Sequence, residues 1–126
     1  METGKKVLII DDDLDFQLMV GNMLRKNGYE VKSQLEGKTD AAWATARECD
    51  LVLLDIRLPG VNGVVIGKEL KSSSETIHIP IILVSGQREC DQMFIESRAD
   101  VMIQKPFSLS RLMHKVQELL SVKASI

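Results

Sequence analysis

The sequence predicts an α/β protein, a parallel sheet with helices packed on both faces. Two observations predict it. Short apolar runs, too brief for helices and rich in β-branched residues, alternate with stretches whose apolar residues recur at a helical period; the alternation occurs five times, with turn signals between. The runs are apolar on both sides, as strands are when a parallel sheet is covered above and below.

The elements follow in order. Val7-Leu8-Ile9-Ile10 is a first strand that ends abruptly in acid. Phe16, Met19, Val20, Met23 and Leu24 fall at i, i+3, i+4, i+7 and i+8, one face of a helix, with Asp13 placed to cap its start. Asn27-Gly28 stops it, because glycine readily takes the left-handed conformation there. Residues 29–35 make a weaker second strand and the alanine-rich segment 37–48 a second helix. Leu51-Val52-Leu53-Leu54 is a third strand, ending at Asp55. After Pro59-Gly60 a helix is predicted from Asn62 to Lys71, closed by three serines. Residues 80–84 form a fourth strand ending at Ser85-Gly86. A less regular helix follows, with Met93 and Phe94 inward. Val101-Met102-Ile103-Gln104 is the weakest strand and ends at Lys105-Pro106. Ser108 caps a last helix with Leu109, Leu112, Met113, Val116, Leu119 and Leu120 on one face.

Composition narrows the function. At 126 residues, with 44% apolar and 27% charged residues, the chain is sized for one domain with its own core, here 1–126 with a core of about 5–122. No linker or effector domain is visible. A net charge of −2 and a pI near 5.7 give no basic surface for direct binding to nucleic acid or an acidic membrane. No apolar run approaches the roughly 20 residues of a membrane span, and the first six residues lack a signal peptide's apolar core, so a cytoplasmic location is expected. Cys49 and Cys90 have neither metal spacing nor a disulfide framework and are read as reduced structural thiols.

In an open parallel sheet, ligands bind beyond the carboxyl ends of the strands, where strand order reverses. The residues found there are Asp11-Asp12-Asp13, Asp55, Ser85 and Lys105: acids, one hydroxyl and one amine converging on one edge. Carboxylates sharing one site repel and raise each other's pKa unless a cation lies among them. An all-oxygen, open cradle suits Mg²⁺, which keeps several waters and is completed by phosphate. An amine and a hydroxyl beside it suit a transferring phosphoryl group, and a remaining carboxylate can be the nucleophile.

At these residues the chain resembles the receiver domain of two-component response regulators, of the chemotaxis-receiver type. The motifs are Val-Leu-Ile-Ile-Asp-Asp-Asp at 7–13, Asp-Leu-Val-Leu-Leu-Asp-Ile-Arg-Leu-Pro-Gly-Val-Asn-Gly at 50–63, Ile-Pro-Ile-Ile-Leu-Val-Ser-Gly at 79–86 and Lys-Pro-Phe at 105–107. The resemblance implies a doubly wound, flavodoxin-like (βα)5 domain with strand order 2-1-3-4-5. It implies a signalling switch rather than a turnover enzyme, one that assists its own phosphorylation and dephosphorylation. Carried over by position, Asp55 is the phosphoacceptor, and Asp11 and Asp12 organise Mg²⁺, with Asp12 in direct contact and Mn²⁺ able to substitute. Asp55 and the backbone carbonyl of Arg57 complete the metal site. Ser85 closes on the phosphoryl group, Lys105 pairs with it, and the Lys105-Pro106 bond is cis. Arg57 and Gln87, each two residues past a site residue, flank the path of the hydrolytic water. The partners implied are a sensor histidine kinase or histidine phosphotransfer protein, a downstream target the sequence does not identify, and a phosphorylation-dependent dimer. Two positions depart from the family pattern: Met102 replaces a switch aromatic, and Arg98-Ala99 replaces a Gly-Ala pair.

Several of these residues also admit blander readings. The acids at 11–15 can act as helix caps, and a lone Asp or Lys-Pro is usually a turn residue; the convergence of the set gives them chemical meaning. A calcium loop starting at Asp11 fails because Phe16 stands where glycine is required and Asn22 where glutamate is. Residues 63–68 are one short of a P-loop and lie in a predicted helix. Trp43 is read as packing, and neither His78 nor His114 as a ligand. A haloacid-dehalogenase-type phosphatase would use Asp11 and Asp13, but Leu14 and Asp15 break its motif and Asp55 would go unexplained. A receiver-like module that is never phosphorylated would have no need of the complete acid, hydroxyl and lysine set.

Overall fold

The computed structural model describes residues 2–86 and 91–124. Five strands, β1 (Lys6–Ile10), β2 (Glu30–Gln34), β3 (Leu51–Asp55), β4 (Ile81–Ser85) and β5 (Val101–Gln104), alternate with five helices, α1 (Leu14–Lys26), α2 (Thr39–Ala46), α3 (Gly63–Leu70), α4 (Asp91–Ser97) and α5 (Leu109–Ala124). All strand pairs are parallel, in the expected order β2-β1-β3-β4-β5.

Alternate residues of each strand feed two cores. Val7, Ile9, Leu51, Leu53, Ile82, Val84 and Ile103 pack under α1 and α5. Leu8, Ile10, Val52, Leu54, Ile81 and Leu83 pack under α2 and α3, with Met93, Phe94 and Met102 half-buried at the margin. Strands β3 and β4 are buried throughout, which is why their sequences show no polar alternation. At the sheet edge, β2 is mostly exposed, the reason its sequence signal is faint.

Two elements differ in detail from the expectation. Helix α2 starts at Thr39 rather than 37, because Gly37 is bridged to Gly60: its N–H donates to Pro59 O (2.8 Å) and its carbonyl accepts from Val61 N–H (2.8 Å). A Cβ on Gly37 would lie 1.6 Å from the Val61 carbonyl oxygen, so the two loops touch only because glycine is there. In α1, Phe16, Val20 and Leu24 form the buried spine as predicted, but Met19 is 49% exposed and Gln17 and Gly21 are buried instead. The inward stripe is therefore rotated towards Gln17, whose amide has partners inside.

Caps fix the helix starts. Asp13 Oδ1 accepts from Asp15 N–H (3.0 Å) and Phe16 N–H (3.2 Å), Asn62 Oδ1 from Val65 N–H (3.2 Å), and Ser108 Oγ from Arg111 N–H (3.1 Å). After α4, Arg98 adopts φ = 60°, a left-handed conformation that favours glycine. No helix among the described residues is long and apolar enough to cross a membrane.

Candidate functional site at the carboxyl edge of the sheet

Because β1 lies between β2 and β3, the helices leaving β1 and β3 go to opposite faces, and a crevice opens between the two strand ends. Asp11, the residue after β1, is 1% exposed; Asp55, the last of β3, is 8% exposed; Asp12 is exposed at the rim. One carboxylate oxygen from each lies within 4.8 Å of the others. These are the three carboxylates the sequence assigns to the metal. An open cleft lined by Asp12, Arg57, Pro59, Asn62 and Met93 borders them.

The backbone holds this acidic loop tightly. Asp11 N–H donates to Gln34 O (3.0 Å), and Asp11 Oδ1 accepts from Asp13 N–H (2.9 Å). Gln17, 7% exposed, places its Nε2 3.0 Å from each of three carbonyl oxygens, those of Ile9, Asp11 and Gln34. A side chain on the first turn of α1 thus ties β1, the acidic loop and β2 together. Sequence reasoning missed Gln17; its only signal is a polar residue beside the buried spine of an amphipathic helix. Gly63 seats α3 on the end of β3. Its N–H donates to Ile56 O (2.8 Å), and a Cβ there would stand 2.1 Å from the Asp55 carbonyl oxygen.

Ser85 and Lys105 reach the same edge from β4 and β5. Ser85 pairs with Gln104, and Lys105 N–H donates to Ser85 O (2.9 Å). Ser85 is 1% exposed, and its Oγ has no hydrogen-bond partner among the described residues. The Lys105 ammonium lies 3.8 Å from Asp11 Oδ2 and 4.9 Å from the centre of the Phe16 ring. The Lys105-Pro106 bond is cis, as the resemblance implied. Arg57 is exposed on the loop after β3, and Met102 packs half-buried on the α4 side of β5. Gln87 lies outside the described residues.

The electrostatics of the pocket are those of a cation site. Burial, and next the negative charge of Asp11, push the Asp55 carboxyl up to about 6, against Lys105 and a backbone hydrogen bond from Arg57. Asp11 is also raised, chiefly by burial, despite the Asp13 N–H and Lys105. Asp11 Oδ2 is buried with no hydrogen-bond partner among the described residues, the Lys105 ammonium lying beyond hydrogen-bond reach. Two desolvated carboxylates and one rim carboxylate, all oxygen donors, with a buried oxygen among them that accepts no hydrogen bond from the described residues, fit a hard divalent cation such as Mg²⁺.

Comparison with known proteins bears on the family and the fold. The family model of the response regulator receiver domain matches residues 7–117. The phosphate regulon transcriptional regulatory protein PhoB of Pseudomonas aeruginosa is 34% identical over 119 residues, which are 93% of this chain and 52% of that protein. The chain therefore spans about half the length of that regulator. Sporulation initiation phosphotransferase F of Bacillus subtilis is 29% identical over 122 residues, 97% of this chain and 98% of its own length. In fold, the chain is similar to the receiver domain of the sensor histidine kinase PA1611 of Pseudomonas aeruginosa, solved with a magnesium ion coordinated in its active-site cleft. That likeness has a TM-score of 0.81 at 23% identity, covering 93% of this chain and 98% of the other.

Proposed function

The chain belongs to the response regulator receiver domain family, and on that premise we propose that it is a phosphoacceptor switch whose Asp55 takes a phosphoryl group from a phosphohistidine in the presence of Mg²⁺. Receiver domains are signalling switches rather than turnover enzymes, and they accept phosphoryl groups from histidine kinases or phosphotransfer proteins. The observation that carries the reading for this chain is the acidic trio: a nearly buried Asp55 with Asp11 and Asp12 oxygens within 4.8 Å.

In the proposed step an Asp55 carboxylate oxygen attacks phosphorus. An O–P bond forms as the donor's P–N bond breaks, and the departing imidazole keeps the electron pair and takes up a proton. Asp11, Asp12, Asp55 and the backbone carbonyl of Arg57 would hold the metal, which when bound neutralises the carboxylates and the charge on the phosphoryl oxygens. Ser85, with a buried hydroxyl that has no partner among the described residues, would donate to one of those oxygens, and Lys105 would supply the opposing positive charge. Arg57 and Gln87 would tune the acyl phosphate's lifetime by flanking the water's path. Movement of Ser85 towards the phosphoryl group would draw in its loop and bias α4, β5 and α5, with Met102 filling the vacated space. That face would meet a downstream target or a second phosphorylated copy. We place the receiver unit at 1–126, with its core at about 5–122, and its work in the cytoplasm.

Fluorine NMR of beryllofluoride, which mimics the phosphoryl group, tests this reading. A bound signal should appear with Mg²⁺, be lost on chelation, and be absent in Asp55→Asn. Binding by that variant as tight as by the wild type would refute it.

A further inference from the structure

Among the described residues the Lys105 ammonium has two partners, and both stand on the α1 side of the crevice. The ammonium is 3.8 Å from Asp11 Oδ2 and 4.9 Å from the Phe16 ring centre, and among the described residues its only ion-pair contact is with Asp11 rather than Asp55. Phe16 is itself fixed. It is buried on the α1 spine, and Phe107 meets it edge-on, with centroids 6.1 Å apart and planes at 89°. A rigid ring at that distance from a partly shielded ammonium (the Lys105 side chain is 36% exposed) is worth about two- to fivefold in an equilibrium.

We propose that Phe16 is a positioning residue: together with Asp11 it holds the Lys105 ammonium in a withdrawn place, which Lys105 must leave to engage the phosphoryl group on Asp55. The inference rests on the phosphoacceptor reading above. The two tethers differ in how they are released. Asp11 is a carboxylate of the cation cradle, so Mg²⁺ competes with Lys105 for it. The ring face is untouched by the metal. Phe16 therefore sets the part of the holding energy that Mg²⁺ cannot remove, and acts as a brake on closure of the site.

The ring offers two independent readouts. The first is the proton resonance of the Lys105 ε-methylene, which a ring face shifts upfield. It should be upfield in the free protein, return towards its ordinary position when Mg²⁺ and beryllofluoride are added, and already be there in Phe16→Leu. The second is beryllofluoride affinity at saturating Mg²⁺. Phe16→Leu, which keeps apolar bulk against Phe107 but loses the ring, should bind about two- to fivefold more tightly. Phe16→Tyr, which keeps the ring face, should match the wild type. Phe16→Met serves the same purpose should the leucine variant fail to fold. A Lys105 methylene with no ring-induced shift, or an affinity unchanged or weakened in both Phe16→Leu and Phe16→Met, would overturn the proposal. Failure of the wild type to bind beryllofluoride with Mg²⁺ would instead overturn the phosphoacceptor reading.

Discussion

Replacing Asp55 by asparagine is expected to stabilise the folded domain when no divalent cation is present. The Asp55 carboxyl is raised from 3.8 to about 6, first by burial and then by repulsion from Asp11. Each pKa unit corresponds to about 1.4 kcal/mol, so ionised Asp55 opposes folding by about 3 kcal/mol at neutral pH. Asparagine removes that charge and keeps an oxygen to accept the Arg57 N–H, so a gain of about 1–3 kcal/mol is expected. The pH dependence follows from the sign of the shift. The folded state holds the Asp55 proton more tightly than the unfolded chain does. The wild type's extra stability in acid is thus complete below the unfolded value near 4 and is lost as pH rises through about 6. The advantage of Asp55→Asn should be near zero at about pH 4, grow across that window, and level off above it. Asp11, whose negative charge contributes to the Asp55 shift, is itself raised by burial, so its own protonation adds to the change with pH. Urea unfolding followed by circular dichroism in EDTA measures the difference at each pH. Added Mg²⁺ should narrow it if, as proposed, the cation binds the folded wild type. A variant less stable than the wild type at neutral pH in EDTA, or a difference constant across the window, would refute the reasoning.

Other substitutions test the surroundings. Gln17→Leu removes the amide that reaches three carbonyls and should cost about 1–3 kcal/mol in urea unfolding. Because those carbonyls fix the acidic loop, the same variant should also weaken Mg²⁺ binding in titration calorimetry. Arg98→Gly relieves the left-handed backbone at φ = 60° and should stabilise the domain by about 1 kcal/mol in a thermal melt, with Mg²⁺ affinity unchanged. If Arg57 shields the proposed acyl phosphate from water, Arg57→Ala should shorten its lifetime in a decay assay; an equal or longer lifetime would show that Arg57 does not shield it.

The sheet was legible because its inner strands are buried on both sides and each apolar run ends where chemistry begins. Asp11, Asp55, Ser85 and Lys105 are all read from that one pattern, and the fold brings them to one edge. Edge and loop geometry was harder to see. Exposed β2 leaves only a faint trace, and the start of α2 is set by a glycine contact with a loop more than 20 residues away, which no local pattern records. Helix α1 shows a second limit. Hydrophobic periodicity put Met19 inside, yet the polar Gln17 is buried because backbone carbonyls satisfy its amide. Lys71 follows the same physics. Its buried ammonium donates to Ile77 O (3.0 Å) and Ile79 O (2.8 Å) and pairs with Asp100 at 2.9 Å, tying the start of β4 to the turn before β5. Polar residues buried for their partners are invisible to a reading that sorts side chains by hydrophobicity. The Arg98 position shows the reverse: a departure from the Gly-Ala pattern noticed in the sequence acquires its meaning only from the backbone angle.

Intact-mass measurement after incubation with Mg²⁺ and acetyl phosphate tests the central claim most directly. One added phosphoryl group is predicted, labile to base, dependent on the metal, and absent in Asp55→Asn. Undiminished labelling of Asp55→Asn, or a modification that survives base, would contradict the assignment of Asp55 as the phosphoacceptor.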